Sequence, residues 1–221
     1  HDHVALSEPT VAGLAACPVA AVRQAITRLQ GLGATVYYME LPFSCYASAA
    51  SWSIAYTEAF AFHRNNFLTR SQDYTGAFLH KITGAALLTA EEQITAQRIR
   101  QIVSAEFLTA LRTVDVIVTP TTAYPAQSIG SASPQSDMHS LTRPVSLTGL
   151  PALAVPCGFS STGLPLSMQL VGRAWEESTL LQVGYAYEQD AGWYRVGEPA
   201  GGRFQPYTFL FDGFLPALRR A

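Results

Sequence analysis

The sequence predicts an α/β protein in which strands and helices alternate in layers. Three observations carry that reading. Two apolar runs, Ala152–Cys157 and Leu166–Val171, each follow a Gly-Leu-Pro step, Gly149-Leu150-Pro151 and Gly163-Leu164-Pro165. An apolar helical stripe within residues 19–30 gives way, through Gly31 and Gly33, to a β-rich segment. A second, longer stripe begins at Thr89 and runs into another strand-like run. Repeated helix–strand units of this kind build layered α/β domains.

Taken in order, Val22, Ile26 and Leu29 lie on one helical face, and the glycines end that helix. Thr35–Leu41, with Val36, Tyr37 and Tyr38, reads as a strand closed by Pro42. Ser48–Arg64 is rich in alanine and reads as a helix. Thr89 with Glu92 three residues on is a capping box. The helix it opens carries Ile99, Ile102, Val103, Phe107, Ala110 and Leu111 as its apolar stripe. Val114–Val118 reads as a short buried strand, and the Ser-, Gly- and Pro-rich Gln127–Ser140 as a loop. Each Gly-Leu-Pro step starts a strand sharply, since glycine reaches backbone angles closed to other residues and proline fixes φ. The two strands are expected to be buried and joined by the turn Ser160-Ser161-Thr162-Gly163, with a helix at Glu176–Glu188 after them. Residues 1–199 are read as one unit and 200–221 as a tail packed over it.

The chain has 221 residues, 48% of them hydrophobic and 14% charged, enough to bury a substantial core. A net charge of −2 supplies no electrostatic footprint for nucleic acid. No apolar run reaches the roughly 20 residues that a bilayer span needs, so no membrane partner is expected. Cys17, Cys45 and Cys157 are odd in number and scattered, which fits neither a disulfide framework nor a zinc site and points to a reducing, cytoplasmic setting. No cofactor and no metal are expected.

Four segments in fixed order resemble the C-terminal half of the amidase signature family. They are Asp115-Val116-Ile117-Val118-Thr119-Pro120-Thr121; Thr142–Phe159; Gly163-Leu164-Pro165 with Met168-Gln169-Leu170-Val171-Gly172; and Glu177, Leu180, Leu181, Tyr187-Glu188 with Trp193. The resemblance covers roughly residues 18–199. It implies the C-terminal part of the amidase signature fold, a mixed β-sheet layered between helices, and hydrolysis of carbon–nitrogen bonds in small-molecule amides. That chemistry uses a Lys, a bridging Ser and a nucleophilic Ser in a Gly/Ser-rich loop, because a serine hydroxyl is a poor nucleophile until a base takes its proton. The only lysine here is Lys81, and no Gly-Gly-Ser-Ser-Gly run occurs. No catalytic residue is therefore assigned in this chain. The partner expected is the missing N-terminal half or a second chain, with a homo-oligomer as a further option.

The residues expected to bind substrate are His139, Thr119, Thr121 and Gly149. Thr119-Pro120-Thr121 end a strand, where α/β proteins place ligands. Asp137, His139 and Ser140 spell a miniature Ser–His–Asp set, but residues so close in one loop rarely align rigidly enough to act. The resemblance gives His139 another role. It stands where the glutamine-using subunits of tRNA amidotransferases place an Asp for the substrate ammonium. Near Gly84, those subunits place an Arg for the carboxylate; here the candidates are His80 and Lys81. Both departures favour a stand-alone amidase, with the glutaminase-type subunit of a tRNA amidotransferase and a non-catalytic fragment or binding module as the alternatives. Cys157 reads as a buried, inert thiol. Gln169, inside an apolar strand, must be hydrogen-bonded and is expected to tie strand to loop backbone. Phe43, Tyr46, Trp52 and Tyr56 read as core, and Glu58, His63 and Arg64 as the polar face of their helix.

Overall fold

A mixed five-stranded sheet lies between two sets of helices. The computed structural model describes residues 3–7, 16–128 and 140–193. Most of the loop expected at Gln127–Ser140, with Asp137 and His139, lies outside the described residues, as do the proposed tail at 200–221 and the limit at 199. The elements run β1 (His3–Ser7), α1 (Ala16–Gly31), β2 (Thr35–Met39), α2 (Ala47–Arg70), α3 (Gly76–Ala85), α4 (Ala90–Ala110) and β3 (Val116–Pro120). They continue with α5 (Arg143–Thr148), β4 (Ala152–Phe159), β5 (Pro165–Val171) and α6 (Glu177–Ala191). The strand order is β2-β1-β3-β5-β4. β1 runs parallel to β2 and β3, whereas β3–β5 and β5–β4 are antiparallel.

The period-2 alternation of the strands divides the core into two layers. Val116 and Val118 of β3, with Leu166, Met168 and Leu170 of β5, face Val22, Ile26 and Leu29 of α1 and Leu180, Val183 and Tyr187 of α6. Ile117 and Val171 face the opposite side and pack with Ala50, Val103, Phe107, Val145 and Leu147 of α2, α4 and α5. Gln169 and Thr119 are directly opposite one another across β3 and β5. By the same alternation they share the face of Ile117 and Val171.

Local chemistry sets the helix limits. Thr89 and Glu92 form the full capping box, each side chain accepting from the other's backbone N–H. Gly33 at φ +100° supplies the left-handed turn between α1 and β2, and Gly149 at φ +74° ends α5.

The structure departs from several expectations. The alanine-rich helix runs past residue 64 to Arg70, and α3 and α5 are additional. The strand expected at Val114–Val118 begins at Val116, because Val114 precedes the first pairing with β1 and its carbonyl accepts from Arg173 instead. β5 is buried over most of its length, but β4 is not: Ala152, Ala154 and Pro156 are exposed on one face of this edge strand. Pro156 is tolerated there because an edge strand need not donate along its outer side. Ile102, placed on the buried stripe of α4, is 47% exposed. Phe43 and Tyr46 are also exposed, on a short turn before α2, while Trp52 and Tyr56 are half-buried, their ring centroids 3.9 Å apart and their planes tilted by 38°. His63 is more than a polar-face residue, since its Nδ1 lies 3.0 Å from the Tyr74 hydroxyl within an aromatic cluster that includes Phe67 and Phe78.

Candidate functional site

The end of β3 gathers the polar groups that the sequence singled out. β3 is apolar through Val118 and then turns polar at Thr119 and Thr121, with Pro120 between them. Pairing with β5 persists past the strand end, where the Thr121 N–H donates to the Ser167 carbonyl at 3.1 Å. Thr121 Oγ1 is buried and has no hydrogen-bond partner among the described residues.

Gln169 organises this corner. Its side chain is buried, and its Nε2 lies 3.2 Å from the Leu141 carbonyl and 3.2 Å from Thr119 Oγ1. A buried amide without partners would cost about 1–3 kcal/mol, so these bonds explain how a glutamine survives in a core strand. The bond to Leu141 spans 28 residues and fixes the chain immediately before α5. The expected tie from strand to loop backbone is therefore present. Its particular acceptor left no local trace in the sequence, because Leu141 itself reads as an ordinary apolar residue.

The other expected residues fall differently. Gly149 caps the far end of α5, donating its N–H to the Val145 carbonyl at 3.0 Å. A Cβ there would meet nothing within 4 Å, so its backbone angle alone accounts for the glycine. Among the described residues no hydrogen bond links Gly149 to Thr119 or Thr121. His139 lies outside the described residues. His80 and Lys81 are exposed on α3, directly before its buried Ile82.

Two further features bear on the chemistry. A cavity of about 590 Å³ opens between the end of β2 and α4, lined by Met39, Leu41, Phe43, Ile102, Glu106 and Thr109 among others. None of the residues expected to bind substrate lines it. Glu106 accepts from the Phe43 N–H at 3.0 Å, yet burial pushes its carboxyl above the usual range and its Oε2 has no partner among the described residues. Cys157 is 2% exposed and burial pushes its thiol up to about 12, which excludes it as a nucleophile near neutral pH. Among the described residues no group of His, Cys, Asp and Glu could hold a metal ion. No described helix is long and apolar enough to cross a membrane.

Comparison with known proteins places this architecture. The family model "Amidase" matches residues 6–181. The glutamyl-tRNA(Gln) amidotransferase A-subunit of Synechococcus sp. (strain JA-2-3B'a(2-13)) is 35% identical over 208 residues, covering 82% of this chain and 41% of the relative. The crystal structure of the same amidotransferase component from Thermotoga maritima superposes with a TM-score of 0.71 at 27% identity, covering 86% of this chain and 42% of that one. A chain from a vestigial protein complex, described as revealing the evolutionary origins of an s-triazine catabolic enzyme, gives a TM-score of 0.75 at 25% identity, with 86% and 43% covered. The chain thus spans less than half the length of the relatives it matches.

Proposed function

The chain belongs to the amidase signature family, and from that premise we propose that it is the substrate-side part of a carbon–nitrogen hydrolase acting on small-molecule amides. In this reading the Ser-Ser-Lys machinery resides in a segment outside these 221 residues, either upstream in the same polypeptide or in a second chain. The observation that supports it most is the combination of an amidase match over 6–181 with a single lysine and no double-serine glycine loop. Deprotonation of the nucleophile and stabilisation of the oxyanion, whose donors are worth about 2.7–4 kcal/mol each, then belong to the other segment. This chain contributes residues that receive the acyl group, with Thr119 and Thr121 at the end of β3, His139 and Gly149 as its substrate-binding residues. Residues 1–199 act as one unit in this proposal, and the three unpaired cysteines fit a cytoplasmic setting.

A second reading has its own support. The relative from Synechococcus carries the name of an amidotransferase component, so a glutaminase-type amidotransferase subunit remains the alternative. His139 in place of the ammonium-binding acid, and His80 and Lys81 in place of a carboxylate-binding Arg, argue for a different acyl group. The test is ammonia release from a panel of amides by this chain assembled with its serine-bearing segment. Turnover of simple aliphatic or aromatic amides in preference to glutamine supports the proposal; glutamine preference supports the alternative.

A further inference from the structure

We propose that Gln169 is a positioning residue that orients Thr119 as a hydrogen-bond donor toward a polar group on the substrate's acyl chain, away from the reacting carbonyl. This rests on reading the end of β3 as part of what receives the acyl group. The Leu141 carbonyl can only accept a hydrogen bond. The Gln169 atom 3.2 Å from it must therefore be the amide nitrogen, and that fixes which way the amide faces. The same nitrogen lies 3.2 Å from Thr119 Oγ1, so its second N–H is donated there and Thr119 accepts.

A threonine hydroxyl carries one hydrogen and two acceptor sites. With an acceptor site engaged by Gln169, the hydrogen is left over, and no group among the described residues takes it. Thr119 is half-buried at the strand end, two residues before Thr121, whose buried hydroxyl has no partner among the described residues. Two hydroxyl hydrogens without acceptors among the described residues suit a ligand that carries an acceptor oxygen or nitrogen on its acyl chain. Gln169 thus does two things with one group: it holds the chain entering α5 and sets the direction of the Thr119 donor.

The experiment uses the intact protein with its serine-bearing segment and three variants: Gln169→Met, Thr119→Val and the double. Steady-state kinetics are read beside hydrogen exchange at the Ser146 and Gly149 amides, which close the turns of α5. Both single variants are expected to raise KM by about five- to tenfold with kcat within about twofold, as loss of one hydrogen bond would. The double variant should be no worse than Gln169→Met, and exchange in α5 should rise about tenfold in Gln169→Met but not in Thr119→Val. Unchanged KM in Thr119→Val of an active enzyme overturns the donor assignment, even if Gln169→Met fails to fold. Unchanged exchange in Gln169→Met overturns the positioning role. If the wild type hydrolyses no amide, the functional reading fails instead, and the exchange comparison still decides the positioning role.

Discussion

Cys157 occupies the irregular point of β4, where register shifts between Pro156 and Gly158. Its side chain is packed with Met168 and Tyr187 in the α1–α6 layer. With its thiol pushed up to about 12, native protein at pH 8 should leave Cys157 unlabelled by iodoacetamide while exposed Cys45 reacts. Mass mapping of the alkylated protein checks this, and equal labelling would mean the layer is open. Glu106 offers a pH signature. Its folded carboxyl titrates above the unfolded one because burial disfavours the charge. Between those two values the unfolded chain ionises first, so stability falls as pH rises through that window. Glu106→Gln should remove that part of the slope, measured as the difference in denaturation midpoint between pH 4 and 7; an identical slope contradicts it. Gln169 shows what single residues disclose: an amide among Met168, Leu170 and Val171 demands partners, but which partners depends on a contact 28 residues away.

At the scale of elements, Arg173 does the joining. It donates to the Leu111 carbonyl at 2.8 Å and to the Val114 carbonyl and Asp115 at 2.9 Å, and pairs with Glu176 at 2.9 Å. One guanidinium thereby binds the end of α4, the start of β3 and the approach to α6. Those two acidic partners also raise its pKa further, so the charge is permanent. Replacing it by Met removes the donor to two carbonyls and one ion-pair partner of Asp115, and should cost about 2–3 kcal/mol by chemical denaturation. A loss under about 0.5 kcal/mol would show the network to be ornamental. The capping box is a smaller device: Thr89→Ala should cost about 1 kcal/mol and fray the first turn of α4. That box, the stop at Gly31 and the strands after the Gly-Leu-Pro steps were legible because each is a local pattern. α3 was not, since Ile82 and Ala85 alone are buried on it and ten residues hold too little periodicity to read. The exposed face of β4 was equally hidden: Ala152, Ala154 and Pro156 are apolar by composition but lie on an uncovered edge.

For the whole molecule, the two core layers on either side of the sheet give the folded body, and the alternation along β3 and β5 assigns each residue to its layer. The candidate site lies on the α2–α4–α5 side, where Gln169 faces Thr119 and the neighbouring β4 residues are small and exposed. Family and architecture were readable because four motifs keep their order and gaps along the chain. The site was readable only in part, because the tie between Gln169 and the Leu141 carbonyl spans 28 residues and leaves no local pattern in the sequence. The measurement that bears most directly on the account is ammonia release from an amide panel by the purified 221-residue chain, alone and with the serine- and lysine-bearing segment added. The account predicts no turnover alone and turnover on assembly, abolished when the added nucleophilic serine becomes alanine. Turnover by the chain alone, or none across the panel on assembly, would contradict it.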